Sequence, residues 1–200
     1  MELNILNTDV YYINSIKNKI RNNHIIEQLK YFKNIYRIEA IPDKIKYNGV
    51  SMAHLITLLK GYHNRQPFIV LEDDVTISYI PQTPIILPYK PNAIYLGNST
   101  WGEKISDNYK TAKYGAQYEI VDDTYYRPIS MYGGHATLYL DMEYVKKVIR
   151  LIEEAIIENK PHDIYLPIFQ QHYKLLGLRK PLFYQDSRIG GQEEETKIIF

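Results

Sequence analysis

The feature of this sequence that most constrains its fold is a run of apolar residues that leads into three consecutive carboxylates. Phe68-Ile69-Val70-Leu71 is followed directly by Glu72-Asp73-Asp74. An apolar run of this length without polar alternation is typical of a strand buried on both faces of a sheet. Ligands of open α/β sheets bind beyond the carboxyl ends of such strands. We therefore expect the three carboxylates at a ligand-binding edge.

Alternation along a strand predicts that Glu72 and Asp74 point the same way and that Asp73 points the opposite way. Two carboxylates on one side form half of a site for a hard cation, and they would suit Mn²⁺ or Mg²⁺ holding a diphosphate. The alternative is an acidic strand end that is simply solvated, because three charges are too costly to bury without partners.

The pattern before this strand predicts an α/β fold. Strands are indicated at 10–14, 36–41 and 68–71, and amphipathic helices at 18–34 and 52–62, the second capped by Ser51. The order β-α-β-α-β is typical of a Rossmann-like, mostly parallel central sheet flanked by helices.

The rest of the chain continues this pattern after an irregular stretch. Four prolines in 81–92 exclude a central strand there, and 98–116 reads as a surface excursion. Further strands are indicated at 93–96, 117–121, 125–129, 136–140 and 182–184, with 117–121 and 125–129 as a hairpin. Helices are indicated at 143–158 and 164–176, and the chain from Gly190 onward reads as a tail.

Composition limits the functional classes. The 200 residues fit one domain, and a formal net charge of +1 argues against nucleic acid as a partner. The lack of cysteine excludes disulfides and thiolate catalysis. The sequence shows no signal peptide and no apolar stretch long enough for a membrane span, so we expect a cytoplasmic protein. The bias toward Ile, Asn, Lys and Tyr resembles proteins of AT-rich genomes, including large DNA viruses and some bacteria.

Several short patterns follow one another along the chain in a fixed order. They are Val10-Tyr11-Tyr12-Ile13-Asn14, the basic segment 17–21, Ala40-Ile41-Pro42, the segment 49–55, Val70-Leu71-Glu72-Asp73-Asp74-Val75, Tyr95-Leu96-Gly97, Gly134-His135-Ala136 through Tyr139, and Pro161-His162-Asp163. In this order they resemble glycosyltransferase family 25, which groups bacterial lipopolysaccharide and procollagen galactosyltransferases. Two positions depart from the family pattern: Ser15 replaces Leu and Ala53 replaces Ser.

The resemblance implies a GT-A-type fold in a single domain over 1–200. Residues 1–98 would form the nucleotide-sugar half, 99–190 the acceptor half and 191–200 a tail. It also implies metal-dependent, inverting transfer of galactose or glucose from a UDP-sugar to a hydroxyl of a glycan or protein.

Roles for individual residues follow from the resemblance together with the chemistry of the transfer. Glu72 and Asp74 would hold the metal ion that stabilises the departing diphosphate. Four positions are expected to contact the nucleotide-sugar, with Asp73 accepting a ribose hydroxyl: Asn14, Asp73, Gly97 and His135. Asp163 would be the base that takes the acceptor proton, with Asp122 and Asp123 as weaker candidates.

Each of these positions also has a structural interpretation. Asp163 would cap the helix at 164–176, and His54 would be a packed, hydrogen-bonded side chain. His135 is equally compatible with a structural role. Tyrosines of the middle region could stack on sugars or simply pack; they are Tyr109, Tyr114, Tyr118, Tyr125, Tyr126 and Tyr132.

Two other functions stay open at this stage. The same carboxylates could serve a metal-dependent hydrolase, although the sequence offers no strong second cluster of His and Asp. A non-catalytic nucleotide-sugar-binding module would also fit the fold, but such a module has no need for three adjacent charges.

Overall fold

The computed structural model describes residues 1–44 and 46–191 and shows an α/β fold with a large central sheet flanked by helices. The helices are α1 (Lys19–Leu29), α2 (Lys46–Asn64), α3 (Met142–Ile157) and α4 (Leu166–His172), with 3₁₀ turns at Ile5–Asn7, His162–Tyr165 and Ser187–Ile189. The first six strands are β1 (Glu2–Leu3), β2 (Asp9–Asn14), β3 (Ile35–Glu39), β4 (Phe68–Glu72), β5 (Val75–Ile77) and β6 (Ile85–Ile86). The others are β7 (Ala93–Tyr95), β8 (Lys110–Thr111), β9 (Gln117–Ile120), β10 (Tyr125–Ser130), β11 (Ala136–Tyr139), β12 (Leu175–Leu178) and β13 (Phe183–Gln185).

The central sheet has the order β3-β2-β4-β11-β7-β12-β10-β9-β8. Strands β3, β2 and β4 are parallel, as the sequence predicts for its first 75 residues. Strand β11 then enters antiparallel between β4 and β7, and among the remaining pairs only β7 and β12 are parallel. The α/β class is therefore confirmed, whereas the expectation of a mostly parallel sheet is wrong because the second half pairs antiparallel.

Strand β4, which contains the apolar run 68–71, is buried on both faces as its sequence predicts. Phe68 and Val70 pack in a core that α2 and α3 complete, and Ile69 and Leu71 pack in a second core with α1 on the other side. A strand covered on both faces has no solvated side, which explains why its first four residues are all apolar.

Several predicted elements differ in extent. Helix α2 starts at Lys46, so Ser51 lies inside it and is not its cap. Helix α1 stops at Leu29, and Ile20 on its surface is exposed. Residues 175–176, expected to be helical, belong to strand β12 between β7 and β10. The predicted hairpin is confirmed by the antiparallel pairing of β9 with β10.

The tail predicted from Gly190 falls largely on 192–200, outside the described residues. The division of the chain at residue 98 stays a prediction. None of the described helices offers the length and apolar content that a bilayer crossing requires.

Helix α2 packs closely on strand β4 at Gly61. A Cβ atom added at Gly61 would lie 2.4 Å from ring atoms of Phe68. Overpacking of this kind costs about 1–3 kcal/mol and outweighs the gain in helix propensity. We expect Gly61→Ala to lower the free energy of unfolding measured with urea, whereas Lys60→Ala on the exposed side of the helix leaves it unchanged. An unchanged midpoint for Gly61→Ala would contradict the packing described.

Candidate active site

A cavity of about 480 Å³ opens at the carboxyl end of β4. Its lining brings together groups that are far apart in the sequence: Arg21, Glu72, Asp74, His135, Asp163 and Gln185. The structure thus places four of the seven predicted site residues around one space. This is the sheet edge where the sequence pattern predicted a ligand.

Glu72 and Asp74 converge on the same neighbour in this cavity. Gln185 Nε2 lies 3.3 Å from Glu72 Oε2 and 3.3 Å from Asp74 Oδ1. Burial, followed by the charges of Asp163 and Asp73, raises the pKa of Glu72 to about 7. Burial, followed by the charge of Glu72, raises the pKa of Asp74 to about 7 as well. The two carboxylates therefore form a buried site with an excess of negative charge.

Asp73 faces a second cavity, of about 390 Å³, that shares Glu72 and Arg21 with the first. Strand β4 ends at Glu72, and Asp73 and Asp74 form a turn beyond it. Asp73 lines the second cavity and Asp74 the first, while both carboxylates approach the same Nη1 of Arg21. Asn14, at the end of β2, donates from Nδ2 to Asp73 Oδ2 over 2.6 Å. Asn14 is buried, and its Oδ1 has no hydrogen-bond partner among the described residues.

Arg21 is a site residue that the sequence reasoning did not single out. Its Nη1 lies 2.9 Å from Asp73 Oδ1 and 3.4 Å from Asp74 Oδ2. Its Nε and Nη2 donate to the carbonyl oxygens of Ile189 and Gly190 over 2.9 and 2.6 Å. The available signal was its place in the basic segment 17–21 that follows the first strand.

Gln185 was missed for a different reason. It ends strand β13, whose antiparallel pairing with β5 places Gln185 opposite Val75, immediately after the three carboxylates. A lone glutamine after a short apolar strand carries no local sign of this contact. Only the pairing of the two strands reveals its position.

Two buried histidines lie beside the carboxylates. His54 Nε2 is 3.3 Å from Glu72 Oε1, and the rings of His54 and His162 are 4.6 Å apart. His162 Nδ1 is hydrogen-bonded to Ser51 Oγ at 3.1 Å. Burial lowers the pKa of His54 to about 4 and also lowers that of His162. Both are thus neutral at pH 7, and His54 is the packed, hydrogen-bonded histidine that the structural interpretation expected.

His135 and Gly97 are in mutual contact. His135 is buried, burial lowers its pKa to about 4, and its Nε2 has no hydrogen-bond partner among the described residues. A Cβ atom at Gly97 would lie 2.2 Å from that Nε2, so the glycine makes room for the imidazole. The backbone of His135 also holds the site strand, because its carbonyl accepts from Glu72 N over 2.9 Å.

Asp163 lies in the 3₁₀ turn His162–Tyr165, and its charge acts on Glu72, His54 and Tyr132. It does not cap a helix: α4 begins at Leu166, with Tyr165 in the capping position. Asp122 and Asp123 lie away from this cavity in the turn of the β9–β10 hairpin. There Asp122 Oδ1 accepts from the backbone of Thr124 and Tyr125.

The six tyrosines of the middle region fall into three groups by burial, with Tyr109 and Tyr132 half-buried. Tyr118, Tyr125 and Tyr126 are buried, which leaves them no face for a sugar. Tyr114 is exposed and stacks on Trp101, with ring centroids 4.6 Å apart and planes inclined by 16°.

The donor set around Glu72 and Asp74 fits a divalent cation that the substrate helps to bind. No group of three or more His, Asp or Glu side chains suited to a metal occurs among the described residues. However, Mg²⁺ is commonly bound through one or two carboxylates together with substrate phosphates. Glu72 and Asp74 would be the two carboxylates of such a site. Both have raised pKa values, and Glu72 is hydrogen-bonded to His54, as is common for carboxylates that bind metals.

Comparisons with known proteins find similarity only at the level of structure. No protein-family model and no curated protein matches the sequence. A glycosyltransferase involved in the glycosylation of the major capsid of PBCV-1 is similar in structure, with a TM-score of 0.44 and 14% identity over 74% of this chain and 68% of the other. CTP:phosphocholine cytidylyltransferase (LicC) from Streptococcus pneumoniae is also similar in structure. Its TM-score is 0.41, with 11% identity over 89% of this chain and 72% of the other.

The raised pKa of Asp74 predicts that this carboxylate destabilises the protein when no cation is bound. Between the ordinary pKa of an aspartate, near 4, and about 7, the unfolded chain loses this proton while the folded chain keeps it, so stability falls as the pH rises. We expect Asp74→Asn, measured in EDTA, to raise the free energy of unfolding by roughly 1–3 kcal/mol at pH 8. The gain should vanish by pH 4.

A matched control for this measurement is Asp123→Asn. Asp123 is exposed in the hairpin turn, so we expect no comparable gain at either pH. If Asp74→Asn were neutral or destabilising at pH 8, the buried charge would have more compensation than the structure indicates.

Proposed function

We propose that this protein is a glycosyltransferase that moves a hexose, galactose or glucose, from a UDP-sugar to a hydroxyl acceptor. The observation that carries the proposal is the convergence of Glu72, Asp74 and Asp163 on one cavity, with Asp73 in an adjoining cavity. Transfer from a nucleotide-sugar needs a charged site for the diphosphate, a base for the acceptor and a polar site for the nucleoside. The two cavities offer these three environments side by side.

The nucleoside fits the cavity that contains Asp73. A carboxylate can accept hydrogen bonds from ribose hydroxyls, and Asn14 fixes the orientation of Asp73. The buried Oδ1 of Asn14 has no hydrogen-bond partner among the described residues, which supports a role of this pair in binding. Glu72 and Arg21 line both cavities, so they stand where a diphosphate would pass from one to the other.

Glu72 and Asp74 are the residues that would hold a divalent cation. Such a cation supplies electrostatic stabilisation of the departing diphosphate without proton transfer. On the protein side, Gln185 and His54 keep the two carboxylates oriented through hydrogen bonds, and Arg21 offers a guanidinium that suits phosphate oxygens.

Asp163 is the proposed general base. In an inverting transfer it takes the proton of the acceptor hydroxyl while the acceptor oxygen bonds to the anomeric carbon. The bond between that carbon and the diphosphate oxygen breaks, and UDP leaves with the electron pair. The position of Asp163 in the lining of the carboxylate cavity supports this role, and its side chain is not engaged as a helix cap.

Metal dependence is tested by the affinity for UDP. We expect calorimetry to show much tighter UDP binding with Mn²⁺ than in EDTA, because the buried carboxylates would otherwise repel the diphosphate. Replacing Glu72 or Asp74 with Ala should remove the effect of Mn²⁺ and abolish transfer while the protein remains folded. Equal UDP affinity with Mn²⁺ and with EDTA would refute the metal site.

The role of Asp163 is tested by Asp163→Asn, which preserves the shape of the side chain and removes its basicity. We expect kcat to fall by about 10²–10⁴-fold with little change in UDP affinity. Asp122→Asn is the control, because Asp122 lies in the hairpin turn, and it should leave kcat unchanged.

The assay products separate the proposal from its alternatives. Hydrolysis of the donor without transfer to any added acceptor would indicate a metal-dependent hydrolase. UDP-sugar binding without turnover would indicate a non-catalytic binding module. A near-normal kcat for Asp163→Asn would indicate another base or a retaining reaction.

A further inference from the structure

The surface beside the site carries a pair of stacked aromatic rings that no role above requires. Trp101 is 49% exposed and Tyr114 is 44% exposed. Their stacking covers one face of the indole, so the large exposed fraction of Trp101 belongs to its other face and its edges. Exposed aromatic faces cost free energy in water and are common at binding sites.

The backbone holds this aromatic pair firmly. A Cβ atom at Gly102 would lie 2.3 Å from Ser130 O and 2.6 Å from Ala116 Cα, so the chain next to Trp101 is closely packed. Ala116 N also donates to Thr100 O over 3.1 Å. A rigid ring loses little conformational entropy when a ligand covers it.

The pair is also connected to the candidate active site. Tyr132 N donates to Trp101 O over 2.8 Å, and Tyr132 directly precedes the segment 133–135 that lines the carboxylate cavity. The charges of Glu103 and Asp163 add to burial in raising the pKa of Tyr132, which places Tyr132 within electrostatic reach of the proposed base. The backbone that carries Trp101 is therefore joined directly to the segment that lines the carboxylate cavity.

We propose that Trp101, supported by Tyr114, is the binding platform for a saccharide acceptor whose sugar ring lies on the indole. This inference rests on the proposed transferase function and specifies the acceptor as a saccharide rather than a protein hydroxyl. A pyranose has an apolar face of C–H groups that packs on an aromatic face, while its hydroxyls remain available. The charges beside the pair are mixed: Glu103 lies two residues after Trp101, and Lys113 Nζ lies 4.9 Å from the centroid of the Tyr114 ring. The surface therefore has no single sign that would select a charged occupant, and a neutral sugar suits it.

The chain has a single tryptophan, so its fluorescence reports directly on this surface. We expect methyl β-D-galactopyranoside or methyl β-D-glucopyranoside to change the Trp101 emission in a saturable manner. Sorbitol, which has the hydroxyls but no ring, should cause no such change, and neither should a peptide containing serine and threonine. A response to the peptide alone, or to none of the probes, would overturn the proposal.

Kinetics provide the second measurement. We expect Trp101→Ala to raise the KM for a saccharide acceptor by about tenfold or more, with UDP affinity unchanged, because one aromatic contact face is lost. Tyr36→Ala is the matched control. Tyr36 is similarly exposed and stacks on Tyr11 with centroids 5.1 Å apart, but it lies on β3 at the opposite edge of the sheet.

The two measurements fail independently of the proposed transferase function. A saturable response of Trp101 to the glycosides without any UDP-sugar turnover would uphold the saccharide site and refute the transferase. Turnover with an unchanged KM in Trp101→Ala would refute the platform and leave the transferase intact.

Discussion

Electrostatic repulsion at the end of β4 is the constraint around which this site is organised. Glu72 and Asp74 are held beside one another in a largely buried place, and each has a raised pKa because neither is fully compensated. Polar groups from three other elements contact the two carboxylates and partly compensate their charge: Arg21 from α1, His54 from α2 and Gln185 from β13. The helices on both faces of the sheet thus contribute to the cores and also deliver polar groups to one strand end. Such a charged strand end is retained at a cost in stability, which is common for functional sites.

Arg21 connects the carboxylates at the end of β4 to a segment near the C-terminal end of the described chain. The same guanidinium binds Asp73, approaches Asp74, and donates to the carbonyl oxygens of Ile189 and Gly190, 168 and 169 residues away. An anionic group entering either cavity would meet the cation that now balances the carboxylates. A divalent cation on Glu72 and Asp74 would free part of that guanidinium for the anion. Binding of the two charges is therefore expected to be mutually favourable by linkage.

The sequence predicts the parts of this arrangement that depend on local pattern. Burial of 68–71 follows from its unbroken apolar run, and the hairpin of β9 with β10 follows from two short strands with turn residues between them. Arg21 and Gln185 could not be singled out, because their roles arise from contacts between distant segments. The helix expected over 164–176 runs two residues into strand β12, because a short apolar run fits both a helix and a strand. Tertiary contacts determine that this segment is a strand: β12 pairs with β7 and β10, and Gly177 packs on the ring of Tyr126.

The antiparallel insertion of β11, which the sequence pattern did not reveal, explains how the second half of the chain reaches the carboxylates. Because β11 pairs with β4, the segment 133–135 ends beside Glu72, and the His135 carbonyl accepts from the Glu72 amide. The residues before that segment extend to Tyr132 and, through its backbone, to Trp101. A parallel neighbour in the same place would have entered from the other edge and carried its preceding loop away from the site. The direction of this one strand therefore brings the backbone that leads to Trp101 to the end of β4 that carries the carboxylates.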